Sequence, residues 1–313
     1  MFGFILVLKA EITRTLIIMR RYWFASILGL AMGYGTLIVM VYGLMFAAQS
    51  EVVQDLVHRV INGILGFLIG VFAFGIVGLF TQGIQGMART GELEQLCLSP
   101  FGLVVNFLAR SFVAAVTNIF SSAVMLILVA ATVASGSLYI APFETIVLLG
   151  LTYINLMGFG FMVGGLVLVL KQVGQVAMII RFAMVALAIF ATEQISEWHW
   201  AARSFAHALP ITDAAICLKY VLIGGQQRPV LDEHGEKIIT DMVPAVDEAG
   251  EVILDSTGDA LLVPVYETVY ASVFTHQSFF FLIISCVIWS VIGIACFKYM
   301  ENWSRDKGTL GAY

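Results

Sequence analysis

Charged side chains are scarce in this 313-residue chain: Asp, Glu, Lys and Arg make up 12% of it, against 60% hydrophobic residues, and the mean hydropathy is +0.96. A soluble globule of that composition would leave far too much apolar surface in water, so the class is a polytopic helical membrane protein. Cysteine is equally sparse. Cys97 falls in a predicted inner loop, Cys217 outside the membrane, and Cys286 and Cys296 lie on one predicted helix, about 15 Å apart along its axis. That spacing argues against an intrachain disulfide. Metal-ligand spacings are missing too, as are a Gly-x-x-x-x-Gly-Lys-Ser/Thr phosphate loop, a Gly-x-Ser-x-Gly elbow and a His-Glu-x-x-His zinc helix. His58, His199, His207, His234 and His276 share no ligand spacing. The net charge of -5 is concentrated in one segment and gives nucleic acid no footing.

What the chain does have is long apolar runs. A helix needs roughly 20 apolar residues to cross the hydrocarbon core, and six segments qualify: 24–47, 57–82, 103–134, 143–170, 176–195 and 277–299. The first is too long and glycine-rich for a cleaved signal peptide, so Met1 to Tyr313 is expected to be the mature chain. Lys9, Arg14, Arg20 and Arg21 precede the first span, Arg89 and Lys171 follow the second and fourth, and Lys298, Arg305 and Lys307 follow the last. Positive charge is retained in cytoplasmic loops, so both termini are expected on the cytoplasmic side of the inner membrane. Ten carboxylates between Asp232 and Glu267, opposed by Lys237 alone, agree with an outer position for that segment.

Residues 1–23 read as an interfacial helix. Ile5, Leu8, Ile12, Leu16, Met19 and Trp23 recur at three- and four-residue spacing, with Glu11, Arg14 and Arg21 on the other side. Arg20 and Arg21 would meet the phosphates, with Tyr22 and Trp23 in the aromatic belt, so membrane lipid is a partner of this helix, as anchor or as lever. Gly-x-x-x-Gly pairs at Gly29/Gly33, Gly66/Gly70 and Gly160/Gly164 allow close helix packing or a dimer contact. Arg59, Arg110, Glu144, Arg181 and Glu193 all fall near span ends, where long side chains snorkel. A midplane charge of the kind a proton- or sodium-driven carrier needs is missing. Asn155 and its fellow asparagines Asn62, Asn106 and Asn118 read as interhelical hydrogen-bonding groups.

Domain organisation follows: spans one to five within 24–225, including an outer helix at 211–223; an acidic β-rich outer insertion at 226–263; and 264–313 with a second outer helix, span six and a cytoplasmic tail. The insertion holds two similar units, Leu231–Ile239 and Val246–Leu254, each an acidic turn around a glycine followed by a β-prone run. They lack the twelve-residue calcium pattern. The fold class is thus all-α and polytopic, with six transmembrane helices, an N-terminal interfacial helix, short outer helices and one small β-rich insertion.

The most informative stretch runs from Arg89 to Pro100, Arg89-Thr90-Gly91-Glu92-Leu93-Glu94-Gln95-Leu96-Cys97-Leu98-Ser99-Pro100, which sets two carboxylates between spans two and three. It reads as a short helix from Thr90 to Leu98 ended by Pro100, with Leu93, Leu96 and Cys97 as an apolar patch and Glu92, Glu94 and Gln95 as polar contacts. Gly91 to Pro100 is similar to the Gly-Thr-Leu-Glu-x-Leu-x-x-Ser/Thr-Pro motif of type-2 ATP-binding-cassette (ABC) export permeases. Leu209-Pro210-Ile211-Thr212-Asp213 through Leu222-Ile223-Gly224-Gly225 resembles the outer segment before the last span of that family, and Gly308 to Tyr313 resembles its usual ending. Glu92 departs from the family pattern, standing where Thr or Ser is usual, and the insertion is longer than typical.

The resemblance implies a permease subunit with no catalytic residue and no cofactor of its own. ATP and Mg would be bound by separate ABC ATPase subunits, contacted through Arg89, Gly91, Glu92, Leu93, Glu94, Gln95, Leu96 and Pro100. It also implies a second permease subunit, in a homodimer or a heterodimer, and export of lipid-like, amphipathic or drug-type cargo. Two other function classes stay open on the residues alone. One is a secondary carrier or membrane-embedded enzyme; the other is a structural or sensory membrane subunit.

Overall fold

A computed structural model describes residues 2–47, 53–132, 141–170, 174–192, 195, 198–223, 227–229, 239–244, 262–266 and 268–307. The chain is a predominantly helical membrane protein. Among the described residues, four helices are long and apolar enough to cross a bilayer, or up to six if each of two sharply bent helix pairs counts as one span.

Helix α1 (Phe2–Arg21) breaks at Tyr22, and α2 (Trp23–Ala47) leaves at 82° to it. Gly3, Val7, Glu11 and Thr15, one side of α1 at four-residue spacing, are half-buried, and so is Leu8. Apart from Leu8, the apolar stripe read from the sequence points away from the protein: Ile5, Ile12, Leu16, Met19 and Trp23 are exposed. That is the arrangement expected when lipid is the solvent for the stripe.

Helix α3 (Val53–Gly78) passes through a π turn (Leu79–Gly83) into α4 (Ile84–Arg89). A π turn loosens the regular hydrogen-bond ladder. The Thr81 hydroxyl meets this by donating to the Val77 and Gly78 carbonyls at 3.1 and 3.3 Å. The short α5 (Glu92–Cys97) follows, then α6 (Gly102–Thr132) and α7 (Pro142–Leu170). Two of the three glycine pairs pack closely at both positions; in the first, Gly33 meets Met125 but Gly29 has nothing within 4 Å. Gly66 and Gly70 face α8 (Gly174–Phe190), while Gly160 and Gly164 receive Phe80 and Ile84.

Helix α8 is 17 residues long and ends earlier than the expected span 176–195. The cause is a partner from elsewhere in the chain: Lys219 Nζ donates to the Ile189 and Ala191 carbonyls, 2.8 Å each, capping the helix end. Lys219 belongs to α10 (Thr212–Leu222), which meets α9 (Trp200–Ala208) at 85°. The outer helix 211–223 is therefore one arm of an elbow. His207 Nδ1 and Asp213 Oδ1, 2.7 Å apart, join the arms, and Asn155 and Trp289 donate to the Pro210 and Ala208 carbonyls at its apex (2.8 and 3.1 Å). Asn155 thus makes the interhelical bond expected of it.

Among the described residues, four short strands lie between the elbow and the last helix. β1 (Gln227–Pro229) pairs antiparallel with β4 (Thr268–Tyr270), and β2 (Ile239–Pro244) with β3 (Leu262–Tyr266). The stretch from Pro264 to His276, expected as a second outer helix, is instead strand followed by a 3-10 turn at Val273–Thr275. Val263, Val265, Val269, Tyr266 and Tyr270 are β-branched or aromatic, and that preference wins once a partner strand is present. Most of the two acidic units, and the Gly308 to Tyr313 ending, lie outside the described residues.

Helix α11 (Gln277–Asp306) closes the bundle against α7. The two backbones touch, with Gly158 and Gly293 face to face. Below that contact Phe80, Phe107, Phe161 and Phe297 form a fully buried ring cluster, with neighbouring centroids 4.7 to 6.0 Å apart. It joins the π turn, α6, α7 and α11 in one core.

Candidate functional site

The stretch from Arg89 to Pro100 is a helix of six residues held between two reversals of the chain. Thr90 ends α4, its hydroxyl donating to the Gly86 and Met87 carbonyls (3.1 and 3.2 Å), and Gly91 then turns at φ 73°. A side chain is strained in that left-handed region, which accounts for glycine there. Gly102, at φ 71°, makes the matching turn into α6. Helix α5 runs from Glu92 to Cys97, shorter than the expected Thr90 to Leu98 because these turns claim its ends. Glu92 and Glu94 occupy its first turn, where carboxylates are favoured by the unpaired N–H groups.

Three elements grip α5. Glu92 Oε1 lies 3.6 Å from Arg14 Nη1 of α1 and forms an ion pair with Arg110 of α6. Arg110 Nε is 3.5 Å from Glu11 Oε1, which is 3.4 Å from Arg14, so two arginines and two glutamates close a single cluster. Arg110 also contacts Met87 Sδ on α4. On the far side Cys97 sits beside Arg305 of α11, whose Nη2 is 2.6 Å from Glu301. Burial pushes the Cys97 thiol up from its ordinary range, with Arg305 opposing the shift.

This geometry corrects the expected docking face. Leu93 is 0% exposed, within the core cluster that includes Phe80, Phe107, Phe161 and Phe297, so it belongs to the chain's own interior and is not an apolar knob for a partner. The outward face consists of Glu94, Gln95, Leu98 and Pro100, with Leu98 86% exposed. Leu96 and Cys97 are half-buried at its edge, and Arg89 is exposed at the end of α4. Lys9, Arg20 and Arg21 are exposed on α1, and Arg14, also exposed, reaches Glu11 and Glu92 in the cluster. Arg110, expected to snorkel, is held by Glu92 and Glu11 instead.

The ion cluster was invisible as a unit in the sequence. Its members lie on three elements, and the one available sign was Glu92 itself, an acid where the resembled pattern has a hydroxyl. Removing Arg110 would leave Glu11 and Glu92 crowded around Arg14 alone. Because Glu92 keeps about a third of its side chain in solvent, Arg110→Ala is expected to cost about 1–3 kcal/mol, between the values for an exposed pair and for breaking a fully buried one. A double-mutant cycle with Glu92→Thr, read by thermal unfolding in detergent, should return a coupling of about 1–2 kcal/mol.

No family model and no curated protein matches this chain.

Proposed function

We propose that the chain is the membrane-spanning subunit of an ABC exporter, and that α5 is the helix through which a separate ATPase drives it. The observation that carries this reading is the two-sidedness of α5. One face is locked to α1, α6, α11 and the buried phenylalanine cluster, and the other offers Glu94, Gln95 and an almost fully exposed Leu98. Such a helix is built to receive force on one side and pass it on from the other. Only Thr90 and Gly91 join it to α4, and Leu98 to Phe101 join it to α6, so a displacement of α5 is delivered to two spans with little slack.

On this reading α5 and both termini face the cytoplasm, and the elbow and strands face outward. Helix α1 lies in the inner-membrane surface, its stripe in lipid and Arg20 and Arg21 at the phosphates. ATP and Mg belong to the ATPase, a second permease subunit completes the pathway, and the cargo is lipid-like, amphipathic or drug-type.

The test is reconstitution with a candidate ABC ATPase. Leu98→Asp or Glu94→Ala should lower permease-dependent ATP turnover at least roughly tenfold, as loss of an interface anchor or a charge buried at a contact does. Thermal stability of the isolated subunit should stay unchanged. Wild-type turnover in both variants would refute the assignment.

A further inference from the structure

Among the described residues, Arg181 is a buried charged group with no carboxylate partner. Arg181 lies on α8, about 10 Å along the axis from its start at Gly174, and is 5% exposed. Expected to snorkel, it is instead folded against α3. Arginine keeps its charge in proteins, so burial cannot be relieved by losing a proton. Its Nε donates to the Phe74 carbonyl at 3.0 Å, and Cζ stands 3.5 Å from the centre of the Phe74 ring. Gly78 makes the room: a Cβ there would fall 2.7 Å from Cζ and 3.0 Å from Nε. Nη1 is buried with no hydrogen-bond partner, and no carboxylate pairs with the guanidinium among the described residues.

A carbonyl dipole and a ring face attract a cation but do not neutralise it, and an uncompensated buried charge is strongly unfavourable. The surroundings suggest what completes it. Phe182 packs on the same Phe74 ring, centroids 5.5 Å apart, and is 58% exposed. Met178 and Ile179, one turn back on α8, are exposed hydrocarbon. A hidden cation therefore adjoins an outward aromatic ring and an apolar strip.

We propose that Arg181 is an anion-recognition site for a membrane amphiphile with a phosphate or carboxylate head. The head reaches the guanidinium fork when the exposed Phe182 side chain rotates aside, and the hydrocarbon tail lies along Met178 and Ile179. Planar guanidinium suits such a group because two N–H bonds can point at two oxygens at once. The binding stands on these residues alone. Its consequence, that an anionic amphiphile is the cargo, rests on the permease reading above.

Native mass spectrometry of the purified subunit, offered equal phosphatidylglycerol and phosphatidylcholine, tests the site without any ATPase. Wild type should retain phosphatidylglycerol in preference, Arg181→Gln should lower that retention roughly tenfold, the weight of one charge-assisted hydrogen bond, and a doubly substituted Lys298→Gln, Lys307→Gln control, at two exposed cations, should retain it. Phe182→Ala, at an exposed position, should raise retention by uncovering the guanidinium. Equal retention of the two lipids by wild type, unchanged retention in Arg181→Gln, loss in the Lys298/Lys307 control to the same degree, or no gain in Phe182→Ala would each overturn the proposal. Displacement of the lipid by inorganic phosphate alone would overturn the amphiphile part. Failure of ATPase coupling with lipid selectivity intact would remove the cargo role and leave the site.

Discussion

Leu93→Asp should leave little or no folded protein in the membrane, while Leu98→Asp, five positions along the same loop, should fold as wild type. The two leucines look alike in the sequence and differ entirely in surroundings. Leu93 is 0% exposed in the core cluster, and Leu98 is 86% exposed. Replacing Leu93 forfeits about 1.5–3 kcal/mol of apolar burial. It also places a carboxylate in the apolar core without a partner, which adds several kcal/mol. Together these approach the whole stability of an ordinary domain, about 5–15 kcal/mol. Fluorescence-detected size-exclusion chromatography of both variants reads the difference. A monodisperse Leu93→Asp protein would mean that α5 does not pack inward as described.

The second large effect is expected where α7 and α11 touch. At Gly293 a Cβ would collide with the Gly158 carbonyl, and at Gly158 one would fall 2.6 Å from the Ser290 nitrogen. Neither obstacle is a flexible side-chain tip, so the helices must separate. Lipid offers no hydrophobic drive to hold them together once close packing is lost. Separation also strains the bonds strung along the same pair, Asn155 to Ser285 (3.1 Å) and Ser304 to the Leu168 carbonyl (3.4 Å). Gly293→Ala is expected to cost about 1–3 kcal/mol by overpacking, and Gly293→Leu more. Gly29→Ala, where nothing lies within 4 Å, should be neutral or stabilise by up to about 1 kcal/mol through helix propensity. Thermal unfolding of the three proteins in one detergent separates these outcomes, and an equal response at Gly29 and Gly293 would argue against the backbone contact.

The helices that cross the bundle were legible because their signal is local. Long apolar runs of the right length mark α2, α3, α6, α7 and α11, and Gly91 and Pro100 bracket the loop helix. What the chain hides are features set by distant partners. Helix α8 ends where Lys219 caps it, a contact across nearly thirty positions. The elbow of α9 and α10 depends on His207 meeting Asp213 and on Asn155 reaching Pro210, neither of which has a periodic signature. Pro264 suggested a helix start, yet the β-branched and aromatic residues around it pair with strand positions from Val243, 20 residues back, to Gln227, 43 residues back. In α5, helical spacing identified an apolar face but not its direction, since only the neighbouring core decides whether Leu93 faces inward. Arg110 and Glu92 each stood out singly, and their pairing needed the fold.

The most direct test of force transfer through α5 is photo-crosslinking in membranes that contain the ATPase partner, with a photoreactive residue replacing Leu98 in one variant and Ile127 in another. Both positions are largely exposed, and they lie on α6 and its preceding loop at opposite ends of the third span. The account predicts an ATPase adduct from position 98 and none from position 127. An adduct from position 127, or none from position 98 while the ATPase copurifies, would contradict it.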